Sequence, residues 1–423
     1  MKKFTILSFF VVLASIAFTQ NKSISFQTVP KQKGVSIPIA IGTQNVPEKR
    51  NCGTMEYLQL QMQQDPTLKE RMEQEESKFE KWIETHQEEL ANNKTVYTIP
   101  VVVHIACPNG ANFSAARVQE QIDVLNEDYR KLNADGANVP SAFQSARGDC
   151  QIEFCLATKD PSGNSTTGIE KKTSTIQFSY TNDDVKYASS GGWDAWDPTR
   201  YMNIWVCNLA DQLLGYAAFP PVSATYGVVI LYSAFGITGA SAPFNLGRTT
   251  THEIGHCFTL YHIWGNDNGG CSSSDQCNDT PNQDGPNYYC PSFPTTDACT
   301  PSSPGVMFMN FMDYVDDDCM TMFTNNQASR VQSCISTYLT SVANNAATAC
   351  STGPAAPVAA FTWTPTSPVV NTSVQFTDQS TNTPTSWAWD FGDGGISTIQ
   401  TPTHTYTATG TKNVCLTATN SLG

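Results

Sequence analysis

Histidine is scarce in this chain, six in 423 residues, and basic charge is thin, with 24 Lys and Arg against 38 Asp and Glu. The net charge of −14 would be repelled by nucleic acid and by anionic membrane surfaces, so neither is expected as a partner. Long apolar runs are missing beyond the N-terminus. None approaches the roughly 18 apolar residues that a transmembrane helix needs, and no membrane span is expected. Charged residues make up only 15% of the chain, ordinary for a globular protein, and its length allows two or three domains.

Cysteine, by contrast, is plentiful, with fourteen copies, and the chain opens MKKFTILSFFVVLASIAFTQ. Two lysines, an apolar run and then small and polar residues form a secretory signal peptide, assigned to residues 1–20. A secreted, extracellular chain folds in an oxidising compartment, where its cysteines are expected as disulfides.

Residues 21–95 have a texture of their own. The stretch MEYLQLQMQQDPTLKERMEQEESKFEKWIETHQEELANNK is rich in Glu, Gln and Lys, with helical propensity broken at Pro66, and reads as a pro-segment. The β-branched run VYTIPVVVHIAC (96–107) then predicts the first strand of a packed sheet. Val118, Ile122, Val124, Leu125 and Leu132 fall at helical spacing within 114–133. Further strands are expected at 150–157, 201–209 and 226–235, and a helix at 325–339. Residues 265–320 are loop-rich and too aperiodic to be held by apolar burial; they carry five cysteines and need staples. A linker is placed at 351–356, between a main domain at 96–350 and a strand-rich module at 357–423.

Three of the six histidines fall in RTTTHEIGHCFTLYHIWG, residues 248–265. On a helix His252 and His256 lie one turn apart on the same face and can point two imidazoles at one metal. Glu253 is displaced by about 100° and sits beside the metal rather than on it. His262 can join them only if the helix ends and the chain turns back. Three nitrogens with an open fourth position are the geometry of a catalytic zinc site. Zinc acidifies a bound water and polarises a peptide carbonyl, which leaves Glu253 as the general base. A bare His-Glu-x-x-His on an ordinary surface helix is the alternative; the third histidine weighs against it.

The run from His252 to His262 resembles the long metzincin zinc motif, and MNFMDYVDDDCMTMFTNNQ (309–327) resembles the Met-turn of the pappalysin family, in its ulilysin-like bacterial branch. WDFGDG (389–394) and the following PTHTYTATGTKNVCLTATN resemble a PKD-type module. The fold implied is α+β: a twisted mixed sheet with an active-site helix and a loop-rich C-terminal half, then an immunoglobulin-like β-sandwich. That sandwich is expected to be truncated, since the sequence stops at Gly423 before a final strand.

The resemblance also implies roles. Met312 would lie beneath the metal, and Tyr314 would stabilise the oxyanion of the tetrahedral intermediate. Their alternative is plain core packing. DQCNDTP would bind a structural calcium through Asp275, Asn278 and Thr280, with Asp279 assisting; such a loop is otherwise simply a turn. Cys271–Cys299 and Cys290–Cys319 would be bridged, leaving Cys257 and Cys277 for each other. Cys52, in EKRNCGTMEYL, would hold the zinc's fourth position until the pro-segment is removed, making the protein a zymogen; the alternative is a disulfide elsewhere. The family usually has glycine three residues after the second histidine, where this chain has Thr259, for which positive φ is costly.

The expected activity is a zinc-dependent endopeptidase acting on proteins or peptides, with LLGYAAFP (213–220) pairing extended substrate by strand addition. Relatives that cut before arginine or lysine would carry an acid just after the Met-turn cysteine. Met320 stands there, and an apolar or mixed preference is expected. The PKD-type module would bind polysaccharide or protein, or act as a spacer. Two other readings remain: a non-catalytic adhesin on a protease-like scaffold, against which the retained Glu253 speaks, and a zinc hydrolase of a non-peptide amide or ester.

Overall fold

The structure, a computed structural model, describes residues 47–86, 88, 95–265, 270–272, 274–350, 357, 359–380 and 384–419. The expected signal peptide, much of the expected pro-segment (21–46, 87 and 89–94) and the expected linker lie outside the described residues. The chain divides into two compact units, which meet in sequence at Ala349 and Cys350.

The first unit opens with two helices, α1 (Thr54–Gln64) and α2 (Leu68–Thr85), parted where Asp65 turns extended before Pro66. The β-branched run forms β1 (Tyr97–Cys107), whose side chains are buried from Ile99 onward. Ser114 caps α3 (Ala115–Tyr129) by accepting from the Arg117 N–H. That helix stops earlier than its apolar spacing suggests. Lys131 takes φ 58°, and Leu132 lies past the end, 68% exposed.

Six strands follow: β2 (Ile152–Leu156), β3 (Ile169–Thr173), β4 (Gln177–Phe178), β5 (Met202–Leu209), β6 (Gly215–Ala217) and β7 (Gly227–Leu231). They join β1 in one sheet of order β2-β1-β5-β7-β6, with β3 also paired to β1 and β4 to β5. Every pairing is parallel except that of β6 with β7. Of the parallel strands, β1, β5 and β7 are buried on both faces, which is why they read as nearly continuous apolar runs. At one end of this order, the outer edge of β6 pairs with Cys52 through a single parallel bridge to Gly215.

Against the sheet lies α4 (Arg248–Cys257), all ten residues of which are buried. Its polar side chains therefore need partners. Arg248 pairs with Asp128 and, at 2.7 Å, with Asp135. Thr251 Oγ1 donates to Asp128 at 2.6 Å and Thr250 Oγ1 to Gln121 at 2.8 Å.

Among its described residues, the loop-rich part carries β8 (Tyr288–Tyr289), paired in parallel with β9 (Tyr314–Val315), and a 3-10 turn at Asp317–Cys319, before α5 (Asn325–Tyr338) and α6 (Thr340–Ala349) close the unit. Two disulfides staple it, Cys271–Cys299 and Cys290–Cys319. Cys155 and Cys350 are disulfide-bonded as well. The expectation of general pairing is corrected: eight cysteines carry free thiols, Cys257 and Cys277 among them, and seven of the eight are buried. Cys52 apart, cysteine in those buried positions packs as a small apolar side chain.

The second unit has two three-stranded sheets built from β10 (Phe361–Thr364), β11 (Ser373–Asp378), β12 (Ser386–Asp390), β13 (Ile396–Ser397), β14 (Thr403–Thr405) and β15 (Cys415–Thr419). Their orders are β10-β11-β14 and β13-β12-β15. Val374, Phe376, Trp389 and Phe391 fill the space between them. The α+β class, with a β-sandwich behind a mixed-sheet unit, is the fold of this chain.

Candidate active site

The two histidines of α4 are fixed through their rear nitrogens. His252 Nδ1 lies 2.7 Å from the Phe311 carbonyl, and His256 Nδ1 lies 2.7 Å from the Leu260 carbonyl. A carbonyl only accepts, so both rings carry their proton on Nδ1 and turn an unprotonated Nε2 inward. His262 Nε2 is 3.2 Å from that of His256, and His252 Nε2 is buried without a hydrogen-bond partner. The Cys52 sulfur joins them: one ligand atom from each of these four residues lies within 4.8 Å of the others. Burial also pushes the His252 and His256 imidazoles well below their usual pKa, away from the cationic form. Neutral nitrogen lone pairs crowded together repel unless a cation lies between them. The donor set, three imidazoles and one thiol, fits zinc.

The turn that brings His262 back is a six-residue helix termination. Leu260 N–H donates to Gly255 O at 2.9 Å and Thr259 N–H to His256 O at 3.0 Å. Its left-handed residue is Thr259, at φ 69°. A β-branched residue therefore makes the turn that usually falls to glycine. Thr259 Oγ1 is buried without a partner, while Arg330 Nη2 donates to the Thr259 carbonyl at 3.2 Å.

Glu253 is 1% exposed, and burial pushes its carboxyl up to about 7. The rim strand β6 passes so close that a Cβ on Gly215 would stand 2.7 Å from the Glu253 side chain; only glycine leaves that space. The approach from below is similar. A Cβ on Gly255, between the two helical histidines, would meet the Met312 sulfur at 2.6 Å. Met312 is fully buried there, and the Tyr314 ring centre lies 5.7 Å from that of His252 and 5.0 Å from that of His262. Burial holds the Tyr314 phenol neutral and able to donate.

Residues 50–54 run through this centre. Leu214 N–H donates to Asn51 O and Gly53 N–H to Gly215 O, both at 2.9 Å, so the segment extends the edge of β6 in parallel. Cys52 Sγ is 3.2 Å from Glu253 Oε2, and the Thr54 hydroxyl donates to the same oxygen at 2.9 Å. Tyr314 Oη accepts from the Cys52 N–H at 3.1 Å. Arg50 reaches a closed pocket, where Nη2 meets Asp317 Oδ1 at 2.5 Å, Nε donates to Val315 O and Nη1 to Thr249 Oγ1. Both side chains of that ion pair are 1% exposed. An acid thus does line this pocket. The apolar expectation drawn from Met320 followed position along the chain, whereas Asp317, three residues earlier, is the one that points in. Sequence reasoning also missed Thr54. Arg50, two residues before Cys52, was the available signal that an acid waits nearby.

The loop expected to hold calcium is partly self-bonded. Thr280 Oγ1 lies 2.8 and 2.9 Å from the two Asp275 oxygens, and burial pushes the Asp275 carboxyl up to about 7. Asp279 Oδ1 is buried without a partner, while Asn278 is exposed. The oxygens suit a hard cation: a buried carboxylate with no ion pair among the described residues, and beside it the unpartnered Oδ1 of Asp279, whose Oδ2 accepts from the Asn326 N–H.

Residues 180–336 match the family described as pregnancy-associated plasma protein-A, and residues 352–423 match the PKD domain. An extracellular metalloprotease of Colletotrichum graminicola is 41% identical over 146 residues, 32% of this chain and 50% of that relative. The match to one from Verticillium alfalfae spans 47% of its length, so the chain covers about half of these two relatives. Coverage is wider for the extracellular metalloprotease of Pyricularia oryzae, 31% identical over 260 residues, 58% of this chain and 77% of that one. Among solved structures, mature mirolysin of Tannerella forsythia with a cleaved peptide is 51% identical, covering 59% of this chain and 95% of its own, at TM-score 0.57. A promirolysin mutant from the same organism is 45% identical over 70% of this chain and 96% of its own, at TM-score 0.60. The chain belongs to the pregnancy-associated plasma protein-A family of metallopeptidases, the pappalysins, with a PKD domain behind the peptidase unit.

Proposed function

We propose that the protein is a secreted, zinc-dependent endopeptidase made as a zymogen, with His252, His256 and His262 as metal ligands and Glu253 as general base. The observation that carries this reading is the convergence of three inward-facing imidazole nitrogens, two held by rear bonds to carbonyls, with a buried carboxylate one position from the first. Zinc bound there would supply Lewis acidity, polarising the scissile carbonyl and acidifying a water. The rest is done by the chain. The edge of β6 holds an extended peptide through its backbone, Glu253 receives the proton and passes it to the leaving amine, and the Tyr314 phenol donates to the developing oxyanion.

Cys52 keeps the enzyme latent in this reading, as a sulfur ligand in the fourth position. Thr54 adds to the block by occupying the Glu253 oxygen that must take the proton. The pocket ending in Asp317 then sets specificity for an arginine side chain in the substrate, as it takes that of Arg50 now. Asp275, Asn278 and Thr280, with Asp279, hold a structural calcium. Trp363, Ile396 and Ile399 each stand exposed on the PKD unit, which in this reading binds a protein or polysaccharide or acts as a spacer. Casein digestion by the chain freed of residues 1–95 tests the activity. A zinc chelator should abolish it and added zinc restore it; digestion that survives exhaustive chelation contradicts the assignment.

A further inference from the structure

We infer that the surface beneath α2 is a second substrate-binding site, outside the cleft, that takes a short amphipathic helix bearing a carboxylate and an aromatic side chain one turn apart. Its centre is Arg330 on α5, 1% exposed in an otherwise acidic chain. The guanidinium receives both oxygens of Glu76, Nη1 at 2.7 Å and Nη2 at 3.1 Å, in the two-pronged geometry that favours arginine over lysine. It lies 5.0 Å from the ring centre of Phe79 and 5.8 Å from that of Tyr261. Glu76 and Phe79 are three residues apart on one helix face, and Tyr338 Oη donates to the neighbouring Glu75 at 3.1 Å.

Among the described residues of the catalytic unit, the buried Asp275 is near enough to feel the Arg330 charge but forms no ion pair with it. Among the described residues, Arg330 pairs with Glu76 alone, and its Nε has no partner. When the pro-segment is gone, as the proposed zymogen reading requires, the guanidinium keeps the Thr259 carbonyl and loses its anion. What is left is a cation in an apolar rim, a surface that binds carboxylate and aromatic groups together. It also adjoins the metal centre. The ring of Phe219, stacked on Tyr261, is 5.5 Å from that of His256. A protein threaded through the cleft therefore passes this surface, whereas a peptide only long enough to fill the cleft does not reach it. The pro-helix occupies the site in the latent protein, and acidic amphipathic helices of protein substrates occupy it afterwards.

The test uses the chain freed of residues 1–95 and a fluorescent peptide of residues 68–85, which lacks Cys52 and Arg50. The peptide should bind saturably, one per chain, to the wild type and to Glu253→Ala alike, with or without metal. Its Glu76→Gln form should bind about 30-fold more weakly, the loss expected when one side of a buried charge pair is removed. The wild-type peptide, added as a competitor, should also raise KM for an acidic helical protein substrate and leave that for a short arginine peptide unaffected. Equal binding of the Glu76→Gln peptide, no saturable binding, or an equal rise in KM for both substrates would overturn the inference. If neither substrate is cut, the endopeptidase reading has failed, and the titration alone decides on this site.

Discussion

Cys52, Thr54 and Arg50 each engage a different part of the centre: the imidazole cluster, the Glu253 carboxylate and the Asp317 pocket. Latency should therefore be shared. Cys52→Ser in the full chain should raise cleavage of a short peptide by about tenfold, still well short of the chain freed of residues 1–95, because one strong interaction is lost and two remain. An uncut Cys52→Ser chain as active as the freed one would show that the thiol alone keeps it latent. Asp317 is the second residue to test. Asn at this position keeps an acceptor for the Leu246 and Arg248 N–H groups that Asp317 now serves, yet presents no charge to arginine. Asp317→Asn should lower kcat/KM for arginine-containing peptides about 100-fold, the cost of a buried charge pair, with a much smaller loss on apolar peptides. Steady-state kinetics on a matched peptide pair reads the difference.

The elements that carry the chemistry were the legible ones. The spacing of His252, His256 and His262 specifies a helix that stops soon after its second histidine, and α4 ends at Cys257. The β-branched run at 96–107 announced β1. The rim strand placed in 213–220 by the resemblance is β6, three residues long, whereas α6, whose TSVANNAATA holds just two buried residues, was not visible. Its place comes from packing rather than from local pattern. Asp317 was hidden for the same reason, since its meaning depends on Arg50, 267 residues away. The turn at Thr259 shows sequence and structure in open conflict. The left-handed region costs a β-branched residue about 1–2 kcal/mol, partly offset because glycine loses more entropy on folding. Thr259→Gly also removes a buried hydroxyl without a partner. It should stabilise the protein by about 1 kcal/mol, seen as a higher denaturation midpoint at unchanged slope; a lower midpoint would mean that the threonine packs to advantage.

At the scale of the whole molecule, the peptidase unit joins a sheet and helices to a loop-rich part in which Met307–Val315 packs into the same core, against the sequence-based expectation, while the described residues of 270–305 bury no hydrophobic side chain but Cys277. The bridges Cys271–Cys299 and Cys290–Cys319 tie that part down, but Asp275 is buried in it and Asp279 half-buried, neither in an ion pair among the described residues. Calcium would offset that burial. At a hundredfold excess over its dissociation constant, the ion should add about 2.7 kcal/mol, and the unfolding temperature should fall by roughly 5–10 °C when a calcium chelator is added. In Asp275→Ala that response should vanish. A wild-type protein indifferent to the chelator would remove calcium from the account.

The most direct measurement of the central claim sets two proteins side by side, the chain freed of residues 1–95 and its Glu253→Ala variant, with zinc content and casein cleavage determined on the same samples. One zinc per chain in both, with cleavage lost by several orders of magnitude in the variant alone, is the predicted result. Cleavage undiminished in the variant, or no zinc in either protein, would contradict it.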